Sequence, residues 1–166
     1  MNKIRLKSFF LSLTIIIVIF LIDRISKFYI LRLAELENSV DIYITPYLNL
    51  FLIWNKGIAF GLLSVNESMI YNTITLMISL ITMVILFMMW KNNNIQRYFL
   101  ASVAGGAIGN LYDRIIYTAV PDFIDLHFQG FHWFVFNVAD IFITIGVFAL
   151  ILVELFNNKK IKNEKY

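Results

Sequence analysis

The sequence predicts an all-α membrane protein: a bundle of four transmembrane helices carrying a few short strands on one face of the bilayer. Three observations lead there. Four apolar stretches reach the roughly 20 residues that a bilayer crossing needs. Hydrophobic residues make up 60% and charged residues 15%, against about 45–50% and about 25% in an average soluble domain. Finally, nine of the 14 Lys and Arg residues fall in the two tails and one connection. With a mean hydropathy of +0.75 on 19.4 kDa, the apolar surface is too large to hide in one small soluble core.

The predicted helices cover about 9–31, 69–90, 98–117 and 133–156. The first begins like a secretory signal, with Lys3, Arg5 and Lys7 before an apolar run. No small-residue cleavage site follows, and Asp23, Arg24 and Lys27 come within spanning length, so it is read as a retained helix. Between the first two helices, residues 40–63 are aromatic and β-branched, with Pro46 and an Asn55-Lys56-Gly57 turn signal. This segment predicts short strands on the membrane surface. The connection before the fourth helix is short, aromatic and acidic. No repeat is visible, and the whole of 1–166 is expected to form one integral membrane domain.

Lys3, Arg5, Lys7, Lys91, Arg97 and the four lysines after Asn158 lie on one side, whereas the other connections hold only Arg32 and Lys56. The positive-inside rule then puts both termini in the cytoplasm. The net charge of +3 is modest and its basic residues line no single face, so nucleic acid is not an expected partner. Zero cysteines remove disulfides, thiolate metal sites and Cys nucleophiles.

Ionisable residues inside membrane helices are costly and mark function by default. At about 1.5 Å of rise per residue, Asp23 and Lys27 stand roughly 21 and 27 Å up the first helix. Asn110, Asp113 and Arg114 stand at about 18–24 Å in the third, and Asp140 about 10 Å down the fourth. All lie in the outer half of a core of about 30 Å. Asp23–Lys27, Asn110–Asp113, Asn110–Arg114 and Asn137–Asp140 are each three or four apart, and so share a helix face.

Mutual neutralisation explains Asp23–Lys27 well. Asp113–Arg114 is open to the same reading, with Arg114 near enough to the surface to snorkel. Asp122 and Asp140 have no evident partners. If Phe123-Ile124 folds back onto the bundle, the two acids meet in a low-dielectric site where one keeps its proton, and the pair holds a general acid and a general base. The competing reading is a solvated loop acid beside a helix-capping residue. His127 and His132 lie in an aromatic loop with no third ligand nearby, which favours an interfacial role over a metal site. Ala101, Gly105 and Gly109 form a small-residue stripe that packing explains. A proton-coupled transporter would use buried carboxylates too, but near the midplane and open to both sides.

Five segments in order resemble a known family. Asp23-Arg-Ile-Ser-Lys27 is similar to D-x-x-[ST]-K, and Asn55-Lys-Gly57-Ile-Ala59-Phe60-Gly61 to N-x-G-x-A-F-G. Gly105-Gly106-Ala-Ile-Gly109-Asn110-Leu-Tyr-Asp113-Arg114 is similar to G-G-x-x-G-N-x-x-D-R. Val120-Pro-Asp122-Phe-Ile-Asp125 and Phe136-Asn137-Val-Ala139-Asp140 complete the series. The pattern resembles lipoprotein signal peptidase, the type II bacterial signal peptidase.

That resemblance implies an aspartyl intramembrane protease that removes the signal peptide from diacylglyceryl-modified prolipoproteins in the bacterial plasma (inner) membrane. It puts Asp122 and Asp140 on the catalytic positions. Asn55, Gly57, Asn110, Asp113, Arg114, Asn137 and Ala139 fall on positions lining the site, and Asp23 and Lys27 on positions shaping it. It also implies a small extracytoplasmic β-cradle, a short interfacial helix, no metal or other cofactor, contact with membrane lipid, and binding of globomycin-type peptide inhibitors. A monomer is expected.

Overall fold

The computed structural model describes residues 3–57, 67–128 and 130–163. Four helices and four strands follow in the order α1 (Lys3–Glu37), β1 (Asp41–Thr45), β2 (Leu48–Asn55), α2 (Glu67–Lys91), α3 (Gln96–Tyr117), β3 (Val120–Phe128), β4 (Phe131–Phe136) and α4 (Val138–Asn163).

Three of the helices are long and apolar enough to cross a membrane: α1, α2 and α4. Their outward faces carry large apolar side chains with no protein neighbour to cover them, such as Ile17, Leu76 and Phe148, each more than half exposed. A helix that is apolar towards solvent belongs in lipid. α3 differs. It packs against each of the other three helices, and small residues make this close approach possible. A Cβ on Gly105 would come within 3.0 Å of Ile19 of α1, and one on Gly106 within 2.5 Å of the Ala139 carbonyl of α4. The stripe expected to serve packing does so, and it extends to two neighbours.

Both connections on the far side from the basic tails join one antiparallel sheet of order β1-β2-β3-β4. β1 and β2 form a hairpin, and β2 then pairs with β3 from the second connection, with Ile53 opposite Asp122 and Asn55 opposite Val120. The sheet rests on the end of α1. Ile30, Val40 and Phe123 are its buried core, packed by Leu33, Leu50, Leu52 and Val138. A second apolar cluster, Ile16, Met89, Leu100, Ala101 and Ala104, fills the other end of the bundle. Between the two clusters along α1 lie Asp23 and Lys27, both buried.

Two expectations change. The predicted start of the fourth helix at Trp133 does not hold: Phe131–Phe136 is strand β4 and the helix starts at Val138. An aromatic run satisfies a hydropathy criterion in either conformation, and its pairing with β3 decides for strand. Asp140 therefore stands in the first turn of α4 and not about 10 Å along a helix. The acidic connection before it is likewise a hairpin. In the first outer segment, strands occupy 41–55, whereas residues 58–63 lie outside the described residues. No short interfacial helix is found among the described residues.

Candidate active site

A neutral quartet of charges anchors the polar layer. Lys27 of α1 donates to Asp23 at 3.1 Å, to Asp113 of α3 at 2.6 Å and to the Asn110 side-chain oxygen at 3.0 Å, which uses all three of its protons. Arg24 grips Asp113 through Nη1 and Nη2 (2.5 and 2.8 Å) and Asp23 through Nη2 at 2.6 Å, with its Cζ 4.7 Å from the centre of the Tyr112 ring. Two positive and two negative groups meet, so no net charge is buried. A Cβ on Gly109 would come within 2.7 Å of Asp23, so only glycine leaves room for this carboxylate.

The quartet orients what lies beside it. Because Lys27 holds the Asn110 oxygen, the Asn110 amide nitrogen points to Asp140 and donates to it at 2.7 Å. Asp23 accepts the backbone N–H of Ala139 in the first turn of α4 at 3.1 Å. That N–H has no partner within its own helix, so a carboxylate from α1 satisfies it and pins the helix start.

Asn137 caps α4. Its side-chain oxygen accepts the Asp140 N–H at 3.2 Å, and Asp140 in return accepts the Asn137 N–H at 3.1 Å, a reciprocal capping box. The remaining donor of Asn137, its amide nitrogen, reaches Asp122 of β3 at 2.6 Å. The other oxygen of Asp122 accepts from Asn55 at the end of β2 at 2.9 Å. Asn55 is itself set by a tight turn in which its oxygen accepts the Gly57 N–H at 2.7 Å.

Asp122 and Asp140 thus line one cavity of about 240 Å³, together with Asn55, Asn110, Arg114 and Asn137. Asp122 is 3% exposed. Burial pushes its carboxyl above the ordinary range, and the nearby Asp140 charge adds to this, against the lowering pull of the Asn55 and Asn137 hydrogen bonds. Such an arrangement can carry a proton and accept one within the same small space.

Arg114 departs from the expected pairing. Asp113 is taken by Arg24 and Lys27, and Arg114 turns into the cavity, buried, instead of snorkelling to the surface. Its Nη1 has no hydrogen-bond partner, its guanidinium lies over the Tyr71 ring, and the Tyr71 hydroxyl donates to its backbone oxygen at 2.8 Å. Gly57, at φ +75°, sits directly over it: a Cβ there would approach Nη2 to 2.8 Å. Sequence reasoning passed over Arg24. Its signal was charge balance, since Asp23 and Asp113 need two cations and Lys27 supplies one. A larger groove of about 1060 Å³ runs between α1 and β2, with Arg24 and Lys27 in its wall, but neither Asp122 nor Asp140 lines it.

A family model described as signal peptidase (SPase) II matches residues 15–156, from α1 to α4. The chain belongs to the signal peptidase II family. Its relatives include the lipoprotein signal peptidase of Pelagibacter ubique (strain HTCC1062), 74% identical over 99% of both chains. The lipoprotein signal peptidase of Aquifex aeolicus (strain VF5) is 36% identical over 98% of this chain and 96% of its own. Among solved structures, a bacterial membrane enzyme determined by the in meso method superposes with a TM-score of 0.68. It is 27% identical and covers 89% of this chain and 88% of the other. Of the family-like segments, Ile58, Ala59, Phe60 and Gly61 lie outside the described residues.

Proposed function

We propose that this signal peptidase II family member is a membrane-embedded aspartyl endopeptidase. It removes the signal peptide of diacylglyceryl-modified prolipoproteins by cutting on the N-terminal side of the lipidated cysteine. The substrate class rests on the relatives, which are named as lipoprotein signal peptidases. The aspartyl chemistry rests on one observation: Asp122 and Asp140 share a cavity, each held by asparagine donors, with Asn137 bonded to both.

In this reading one of the two carboxyls carries a proton and the other is charged. The raised affinity of Asp122 for a proton supports that. The charged member takes a proton from water as the oxygen attacks the scissile carbonyl. The protonated member donates to the developing oxyanion, and the tetrahedral species collapses as the first carboxyl passes the water proton to the leaving amine and the second recovers its own from the hydroxyl. Asn55 and Asn137 hold the pair in register. The unpartnered Nη1 of Arg114 faces the cavity as a donor for a substrate carbonyl or ester oxygen. Asn110 holds Asp140 directly, whereas Asp23, Lys27, Asp113, Gly57 and Ala139 shape the site without touching the acid pair.

The same reading makes α3 a fourth span, sheltered by α1, α2 and α4, and puts both termini in the cytoplasm. The sheet and the dyad then lie at the outer leaflet of a bacterial plasma membrane. A lipidated cysteine keeps its acyl chains in the bilayer there while its peptide reaches the cavity. The apolar cluster around Ile16, Leu100 and Ala104 fills the inner half of the bundle, which speaks against a transport path. In this reading the protein acts as a monomer. Globomycin-type peptides would compete for the same cavity.

The test is incubation of the purified protein in detergent with one prolipoprotein in diacylglyceryl-modified and unmodified forms. Release of the signal peptide from the modified form alone is the expected result. If both forms stay intact under conditions that keep the protein folded, the reading fails.

A further inference from the structure

The β3–β4 hairpin holds a second constellation, away from the cavity. Asp125, His127 and His132 present ligand atoms that all lie within 4.8 Å of one another. Strand period and a register shift together explain the meeting. Asp125 and His127 are two apart on β3 and so point to one face. A shift in the β3–β4 pairing between Leu126 and His127 then makes His132, rather than Trp133, the cross-strand partner of His127. The two imidazoles stack with ring centres 5.3 Å apart and planes inclined by 28°. Both Nδ1 atoms turn to the same Asp125 oxygen, at 2.8 Å from His132 and 3.6 Å from His127. Asp125 thus joins the two histidines that the sequence left without a third potential ligand.

Hydrogen bonding leaves this group unfinished. Asp125 is 2% exposed, yet its Oδ1 has no partner. The buried Nδ1 of His127 has none either, since 3.6 Å is beyond hydrogen-bond reach. Among the described residues, the only basic side chains paired with Asp125 are these two histidines. Buried polar atoms left unpaired call for an explanation. Ligands of a tetrahedral zinc ion, bonded at about 2.0–2.2 Å, stand roughly 3.3 Å from one another. The His127–Asp125 separation is already close to that value.

We propose that Asp125, His127 and His132 form a binding site for a borderline divalent cation of the zinc class, with one coordination position left open. Two imidazoles and one carboxylate suit Zn²⁺ over Mg²⁺ or Ca²⁺, which prefer all-oxygen shells. The ion would tie β4 to β3 near the hairpin tip, on the strand that carries Asp122.

The experiment is titration of the tag-free, chelator-treated full-length protein in detergent with Zn²⁺, followed by calorimetry, with Mg²⁺ in parallel. One saturable Zn²⁺ equivalent is expected, with no matching Mg²⁺ signal. His132 is 58% exposed, so His132→Gln leaves the fold intact and should weaken binding by at least about tenfold, the lower end of what losing even an outer-shell partner costs. Asp122→Asn should bind Zn²⁺ like the parent, because the acid pair belongs to another site. Absence of saturable binding, unchanged affinity in His132→Gln, or loss of binding in Asp122→Asn would each overturn the proposal.

Discussion

Asn137 and Asp140 cap α4 by exchanging hydrogen bonds at 3.1 and 3.2 Å, and the same Asn137 side chain donates to Asp122 at 2.6 Å. The capping reading and the acid-pair reading of Asp140 are therefore not alternatives. The helix start is built from the residues that line the cavity, so the cap fixes where one carboxyl stands relative to the other.

That double use is separable by substitution. Serine caps a helix about as well as asparagine, whereas alanine costs about 1 kcal/mol. Asn137→Ser should keep the thermal midpoint near that of the parent, and Asn137→Ala should lower it. Both lose the amide donor to Asp122, so both should cut prolipoprotein slowly. Equal stability of the two variants, or normal cleavage by Asn137→Ser, would contradict this division.

Gly57 is placed by its neighbour rather than by turn preference alone. At φ +75°, any L side chain is strained by about 1 kcal/mol, and its Cβ would press on the Arg114 guanidinium. Gly57→Ala should lower the thermal midpoint slightly. It should reduce cleavage more than stability, because it displaces Arg114 and disturbs the turn that aims Asn55 at Asp122. Measuring both on one preparation checks the claim.

The quartet predicts a charge-balance effect. Asp113→Asn leaves Arg24 and Lys27 facing Asp23 alone in a buried setting, a loss of about 3 kcal/mol for broken pairs of this kind. Removing a cation as well, in Asp113→Asn with Arg24→Gln, should recover part of that stability. Thermal unfolding of the parent, the two single variants and the double variant measures the coupling. Additive losses would show that the charges act independently.

The proton affinity of Asp122 carries a sign. A carboxyl whose folded-state pKa is raised contributes stability that is present below its unfolded pKa and lost as pH rises through the folded value. The stability of Asp122→Asn relative to the parent should therefore shift in the variant's favour as pH rises above the ordinary Asp range of about 4. A pH series of unfolding midpoints for both proteins tests it. A shift of opposite sign means that Asp122 is held as an anion.

Much of this was legible in the residues. Depth along the helices brought Asp23, Lys27, Asn110 and Asp113 to one level, and they meet there. Spacing paired Asn137 with Asp140. What could not be read was partner choice across helices. Asp113 takes Arg24 and Lys27 over its chain neighbour Arg114, because consecutive residues on a helix point in different directions. The aromatic run 131–136 was equally open to strand or helix, and only β3 beside it decided. The cation group at Asp125 escaped for the same reason, since it depends on cross-strand register.

The central claim is that Asp122 and Asp140 together cut the peptide bond. Its most direct test is single-turnover cleavage of diacylglyceryl-modified prolipoprotein by the parent, Asp122→Asn and Asp140→Asn, with folding of each verified. The account predicts that each variant inserts and folds, yet loses at least about 10²-fold in rate, the lower range for removing a general acid or base. A folded variant that still processes substrate at the parent rate would contradict it.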